Sequence, residues 1–109
     1  MYFPTTRMRR LRKNEQLRTI VRETKVSKED LIYPIFFKED LKGDEKEPIT
    51  SMPGEYRYSL EAGVEFAKHL EKLGLKSIIV FGVPLTNQKD EVGTPAFAEN
   101  GIVQKAIKA

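Results

Sequence analysis

Two short, almost unbroken apolar runs joined by one amphipathic helix constrain this chain more than any other feature. The runs are Leu31-Ile32-Tyr33-Pro34-Ile35-Phe36-Phe37 and Ser77-Ile78-Ile79-Val80-Phe81-Gly82-Val83, and neither shows the polar alternation of a strand with one wet face. Continuous apolar strands of this length occur where both faces are covered, as in parallel sheets. Pro34 has no N–H to give to a ladder, so the regular part of the first strand is expected to lie after it. Between the runs, Ser59 is placed to cap a helix whose Leu60, Val64, Ala67, Leu70 and Leu73 share one face, and Gly74 supplies a left-handed stop. Strand, helix and a second strand reached after two residues make a right-handed βαβ unit. The fold class is therefore α/β.

The flanking segments are less regular. Lys38 to Tyr58 is punctuated by Gly43, Pro48, Pro53 and Gly54, and reads as one long connection with a turn at Met52-Pro53-Gly54. Pro84 to Glu99 reads as a second long loop, after which Asn100 is expected to cap a last helix with Ile102, Val103, Ala106 and Ile107 on one side. Towards the N-terminus, Asn14 can cap a short helix carrying Leu17, Ile20 and Val21, and Ser27 with Asp30 has the spacing of a capping box. The last helix still runs at Ala109 with no third strand to cover it. The expectation is thus a truncated unit, marginal or aggregation-prone by itself, because two parallel strands leave two open edges and one bare face.

Charge divides the 109 residues in the same place. Residues 1–25 carry eight basic side chains against Glu15 and Glu23, a net +6, whereas the remainder carries eleven basic against fourteen acidic, a net −3. Residues 1–30 thus form a basic arm with a short helix, and residues 31–109 a mildly acidic body. No stretch approaches the eighteen consecutive apolar residues of a membrane span, and the start lacks the apolar core of a secretory signal, so a cytoplasmic protein with no membrane partner is expected. With no cysteine and one histidine, His69, the chain offers no thiolate zinc site and no histidine cluster.

No phosphate-binding glycine loop, nucleophile elbow, HExxH or CxxC is present. His69, among Lys68, Glu71 and Lys72, reads as a surface histidine. The cluster Arg7-Met8-Arg9-Arg10-Leu11-Arg12 could grip phosphates, but the interleaved Met8 and Leu11 and the lack of a recognition helix or aromatic stacking pair favour protein contact over nucleic acid. If the unit belongs to a (β/α) barrel, the loop after the second strand lies on the catalytic side, bringing Lys89, Asp90, Glu91 and Glu99 towards a substrate. Loop charges of this kind are usually just solvated. Phe81, near the carboxyl end of its strand, could line a pocket there or serve as core.

Six separated segments, in order and at fitting spacing, carry a family resemblance. They are Arg9-Arg10-Leu11-Arg12, Leu31-Ile32-Tyr33-Pro34-Ile35-Phe36, Pro48-Ile49 with Ser51-Met52-Pro53-Gly54, Phe81-Gly82-Val83-Pro84, Lys89-Asp90-Glu91 with Gly93, and Gly101 to Ile107. The whole chain resembles the N-terminal third of the 5-aminolaevulinate dehydratases, or porphobilinogen synthases. The resemblance implies an arm followed by the first two βα units of a TIM (β/α)8 barrel. It also implies a homo-oligomer, usually an octamer, in which Arg7, Arg9, Arg10, Leu11 and Arg12 lie at a subunit interface.

The activity implied is condensation of two 5-aminolaevulinate molecules to porphobilinogen through lysine Schiff bases, with zinc or magnesium in the complete enzyme and no organic cofactor. Phe81 is the substrate-binding residue carried over. None of the lysines here matches the Schiff-base positions and no metal ligand can be assigned, so the chain alone is expected to be inactive. A non-enzymatic module that docks on intact subunits through its arm is the alternative.

Overall fold

The computed structural model describes Tyr2 and residues 4–109, so the arm's Met1 and Phe3 lie outside the described residues. After a 3-10 turn at Arg10–Arg12 comes α1 (Glu15–Val21), where the Asn14 side chain accepts from the Leu17 N–H at 2.9 Å. A second 3-10 turn, Lys28–Asp30, carries the expected capping box with Ser27, and leads into β1 (Ile32–Lys38). The strands β2 (Lys46–Pro48) and β3 (Tyr56–Tyr58) follow, then α2 (Leu60–Lys72) and β4 (Ser77–Val83). Past a 3-10 turn at Thr86–Gln88 lie the single-turn α3 (Thr94–Phe97) and finally α4 (Ile102–Lys108).

The sheet has four strands in the order β2-β3-β1-β4 and is mixed. β1 and β4 run parallel over seven residue pairs, from Ile32 opposite Ser77 to Lys38 opposite Val83. The expected strand–helix–strand unit is thus present, but three sequence expectations are corrected. The stretch Lys38 to Tyr58 contains an antiparallel hairpin, β2–β3, whose second strand also pairs parallel with Phe36 and Phe37. Strands of three residues are too short to leave a periodic signal. The first strand includes Pro34, because β3 reaches only Phe36 and Phe37 and no ladder exists on that flank at Pro34. The last helix is capped at Gly101, with extended backbone, rather than at Asn100.

The core sits on one face of this sheet. Ile35 and Phe37 of β1 are 1% and 2% exposed and pack with Tyr58, Leu70 and Ile102, beneath α2 and α4. Phe66 of α2 wedges between Tyr58, stacked at 4.8 Å, and Tyr33, edge-on at 5.5 Å. Ser59, fully buried, accepts from the Ala62 N–H at 3.1 Å and donates to the Gly43 carbonyl at 2.5 Å, so one hydroxyl caps α2 and ties down the loop before β2. Gly63 lets the helix descend onto the sheet, since a Cβ there would collide with the Phe37 ring. The opposite face is bare. Ile32 is 63% and Ile79 46% exposed, and no element among the described residues covers them.

The arm stands away from this body. The molecule measures 66 × 34 × 27 Å with a radius of gyration of 21.7 Å, against about 13 Å for a compact chain of this length. One anchor is Lys28, whose ammonium donates to the Leu73 carbonyl at 2.8 Å and so closes the C-terminus of α2.

Gly63→Ala tests the descent of α2. Alanine favours a helix by about 1 kcal/mol over glycine, but overpacking against Phe37 costs about 1–3 kcal/mol. The expected result is a net loss of amide hydrogen-exchange protection in β1 and α2. A gain in protection would mean that helix and strand do not meet at this point.

Candidate functional site

In parallel sheets ligands gather at the carboxyl ends of the strands, because connecting loops and unpaired backbone groups converge there. Here that end is formed by Phe36 to Lys38 of β1 and Phe81 to Val83 of β4. On the bare face the register sets one row across all four strands: Glu47 opposite Arg57, Arg57 opposite Phe36, and Phe36 opposite Phe81. The Phe36 and Phe81 rings stack with centroids 5.2 Å apart and planes at 17°. Phe81 is still 43% exposed, so it lies outside the core and forms a wall of the open face.

Charge completes the row. The Lys38 ammonium donates to Glu47 at 2.6 Å and lies 3.6 Å from Asp40, while Arg57 is 3.8 Å from the other oxygen of Glu47. The hydrogen bond to Glu47 raises the Lys38 ammonium above its ordinary range. On the helix-covered face, towards the amino end of β1, the Tyr33 hydroxyl donates to Glu55 at 2.7 Å, and burial together with that carboxylate pushes its pKa up to about 12. Neither Arg57 nor the hairpin that brings it here was legible in the sequence. The only available signal was the turn at Met52-Pro53-Gly54, with Gly54 at φ +87°.

The loop residues named from sequence separate. Asp90 folds the loop on itself: its carboxylate accepts from the Val92 N–H at 3.2 Å, the Thr94 N–H at 3.0 Å and the Thr94 hydroxyl, and these bonds hold its pKa below the usual carboxylate range. Lys89, Glu91 and Glu99 are exposed and join no ion pair among the described residues. His69 is exposed on α2, as expected. In the arm, Arg7, Arg9, Arg10, Leu11 and Arg12 are all exposed, and the Arg12 carbonyl accepts from Arg18 at 3.1 Å. Among the described residues no three histidine, cysteine, aspartate or glutamate side chains converge. No helix among them is long and apolar enough to cross a membrane.

Comparison with known proteins decides the family. The family model described as delta-aminolevulinic acid dehydratase matches residues 5–109. The chain belongs to the delta-aminolevulinic acid dehydratase family. It is 56% identical over 108 residues to the delta-aminolevulinic acid dehydratase of Methanothermus sociabilis, and 46% identical over 108 residues to that of Methanothermobacter thermautotrophicus. In both cases the match covers 99% of this chain and 32% of the relative, so the chain spans about a third of the length of these curated relatives. The fold is similar to that of the Toxoplasma gondii enzyme, also called porphobilinogen synthase, solved in complex with its reaction product porphobilinogen. There the TM-score is 0.84 at 30% identity, over 94% of this chain and 28% of that one.

Tyr33 gives a pH signature of the opposite, amino-terminal end of β1. A tyrosine with a raised pKa stabilises the fold fully below its unfolded value of about 10, and that contribution is lost as pH rises towards about 12. Burial also raises Tyr58, so spectroscopic titration of the phenols should show late-ionising components from both residues, with the Tyr33 one lost in Tyr33→Phe. Titration of every tyrosine near pH 10 in the folded protein would contradict the Tyr33–Glu55 bond.

Proposed function

We propose that this chain supplies the N-terminal third of a porphobilinogen synthase, the enzyme that condenses two 5-aminolaevulinate molecules to porphobilinogen with loss of two waters. The observation that carries the reading is the match of residues 5–109 to the family, by a chain about a third as long as its relatives. In this reading residues 1–30 are the assembly arm and residues 31–109 the first two βα units of a TIM barrel. The bare apolar face and the seven-residue open edge of β4 support it, since these are the surfaces that further barrel strands would cover.

Phe81, held by Phe36, is then a wall of the substrate pocket at the carboxyl end of the barrel. In this reading Lys38, bonded to Glu47, is not the Schiff-base amine. The reactive lysines, and the ligands for zinc or magnesium, belong to the remaining two-thirds of the enzyme, which works in the cytoplasm. Isolated, the 109-residue chain does not catalyse, because a barrel of this kind needs about 250 residues. The exposed Arg7, Arg9, Arg10, Leu11 and Arg12 dock on a neighbouring subunit of an octamer.

A second reading, a non-enzymatic module that docks on intact subunits through the arm, is favoured by the exposure of Met8 and Leu11 between the arginines. The two readings separate by the mass of the polypeptide as its cell makes it. A mass about three times 12.5 kDa is expected for the enzyme; a mass of 12.5 kDa, with co-purification of a longer dehydratase, would favour the module. In the full-length enzyme, Phe81→Ala should lower kcat/KM for porphobilinogen formation by about tenfold or more. An unchanged value would remove Phe81 from the pocket. Replacing Arg9, Arg10 and Arg12 together by alanine should reduce the oligomer size on a sizing column, and an unaltered oligomer would overturn the docking role of the arm.

A further inference from the structure

On the sheet face opposite Phe81, the loop after β4 and α4 flank a half-open cavity of about 440 Å³. Gly82 lies in its lining, where a Cβ would stand 2.6 Å from Val103 and 2.7 Å from Ile102, so the missing side chain lets α4 sit close and brings Ile102 and Val103 to the cavity wall. Pro84, Pro95, Ala96, Ile102 and Val103 make the walls apolar, and Lys89 and Asp90 are the charged groups at the rim. Ligand sites are typically concave, mostly apolar and of about 300–1,000 Å³, with a few placed polar groups.

The walls are fixed before any ligand arrives. Asp90 closes the loop onto Val92 and Thr94, Gly93 turns it with φ +67°, and Pro95 starts α3. The Gln104 side-chain amide then donates to the Ala96 carbonyl at 2.6 Å and joins α3 to α4. Preorganisation of this kind lowers the entropic cost of binding. The two acidic oxygens of Asp90 are taken up by these internal hydrogen bonds, whereas the Lys89 ammonium has no ion-pair partner among the described residues.

We propose that this cavity is a binding site for a small monocarboxylate with an apolar body about the size of one aromatic ring, the body lying against Pro95, Ile102 and Val103 and the carboxylate meeting Lys89. The site stands on the loop and α4 alone and does not depend on the enzymatic reading. The probe is benzoate, titrated into the isotopically labelled polypeptide as its cell makes it and followed by amide resonances, with neutral benzamide as its isostere. Saturable shifts centred on Gly82, Gly93, Ala96 and Val103 are expected for benzoate, with about two- to fivefold weaker binding of benzamide, since Lys89 is exposed. Lys89→Gln should remove that preference and Lys89→Arg should keep it. Equal binding of the two probes, retention of the preference in Lys89→Gln, shifts centred elsewhere, or no saturable shift would each overturn the proposal.

Discussion

The seating of the Phe37 ring against the notch left by Gly63 is the contact on which the other parts of this molecule depend. It brings α2 onto the sheet, and α2 in turn covers Ile35 and presents Phe66 to Tyr33 and Tyr58. The same β1 residue lies opposite Tyr58 in β3 and Gly82 in β4, so it holds the hairpin and the second parallel strand in one register. Gly82 repeats the device beneath α4. In both places a glycine gives up side-chain burial so that a helix can sit closer, which places the remaining apolar side chains within van der Waals reach.

This packing fixes what the other face can be. Alternation along β1 sends Tyr33, Ile35 and Phe37 to the helices, so Phe36 and Lys38 must point the other way, and the parallel register puts Phe81 and Val83 beside them. The aromatic pair and the Lys38–Glu47–Arg57 cluster are therefore consequences of the core rather than separate constructions. Their exposure has an energetic meaning as well. Apolar area left in water forfeits about 25 cal/mol per Å², so the bare side of β1 and β4 is surface from which stability would be gained on covering.

What the sequence disclosed follows the strength of each local signal. β1, α2 and β4 were legible because seven to thirteen residues repeat one pattern, and Asn14, Ser27 and Ser59 were legible as caps because the oxygen acts on a backbone N–H two or three residues away. The hairpin was not, since three-residue strands with the composition Lys-Glu-Pro and Tyr-Arg-Tyr have no period to detect. Lys38, Glu47 and Arg57 are therefore scattered single charges in the sequence, and only strand pairing makes them neighbours. Family resemblance reached further than periodicity because it draws on segments separated by tens of residues, each uninformative alone.

The helical face and the bare face also differ in what sets their shape. On the helical side, proline, glycine and internal hydrogen bonds define the walls around Gly82, and these are local to residues 82–104. On the bare side, the position of Phe81 is set by Phe36 and the ladder, but the space above the two rings is not bounded by any described residue. A pocket requires concavity, and a flat aromatic pair supplies only one wall of it. Phe36 and Phe81 therefore supply one wall on the bare face, and the open edge of β4 leaves a full ladder of backbone groups free for a further strand to pair.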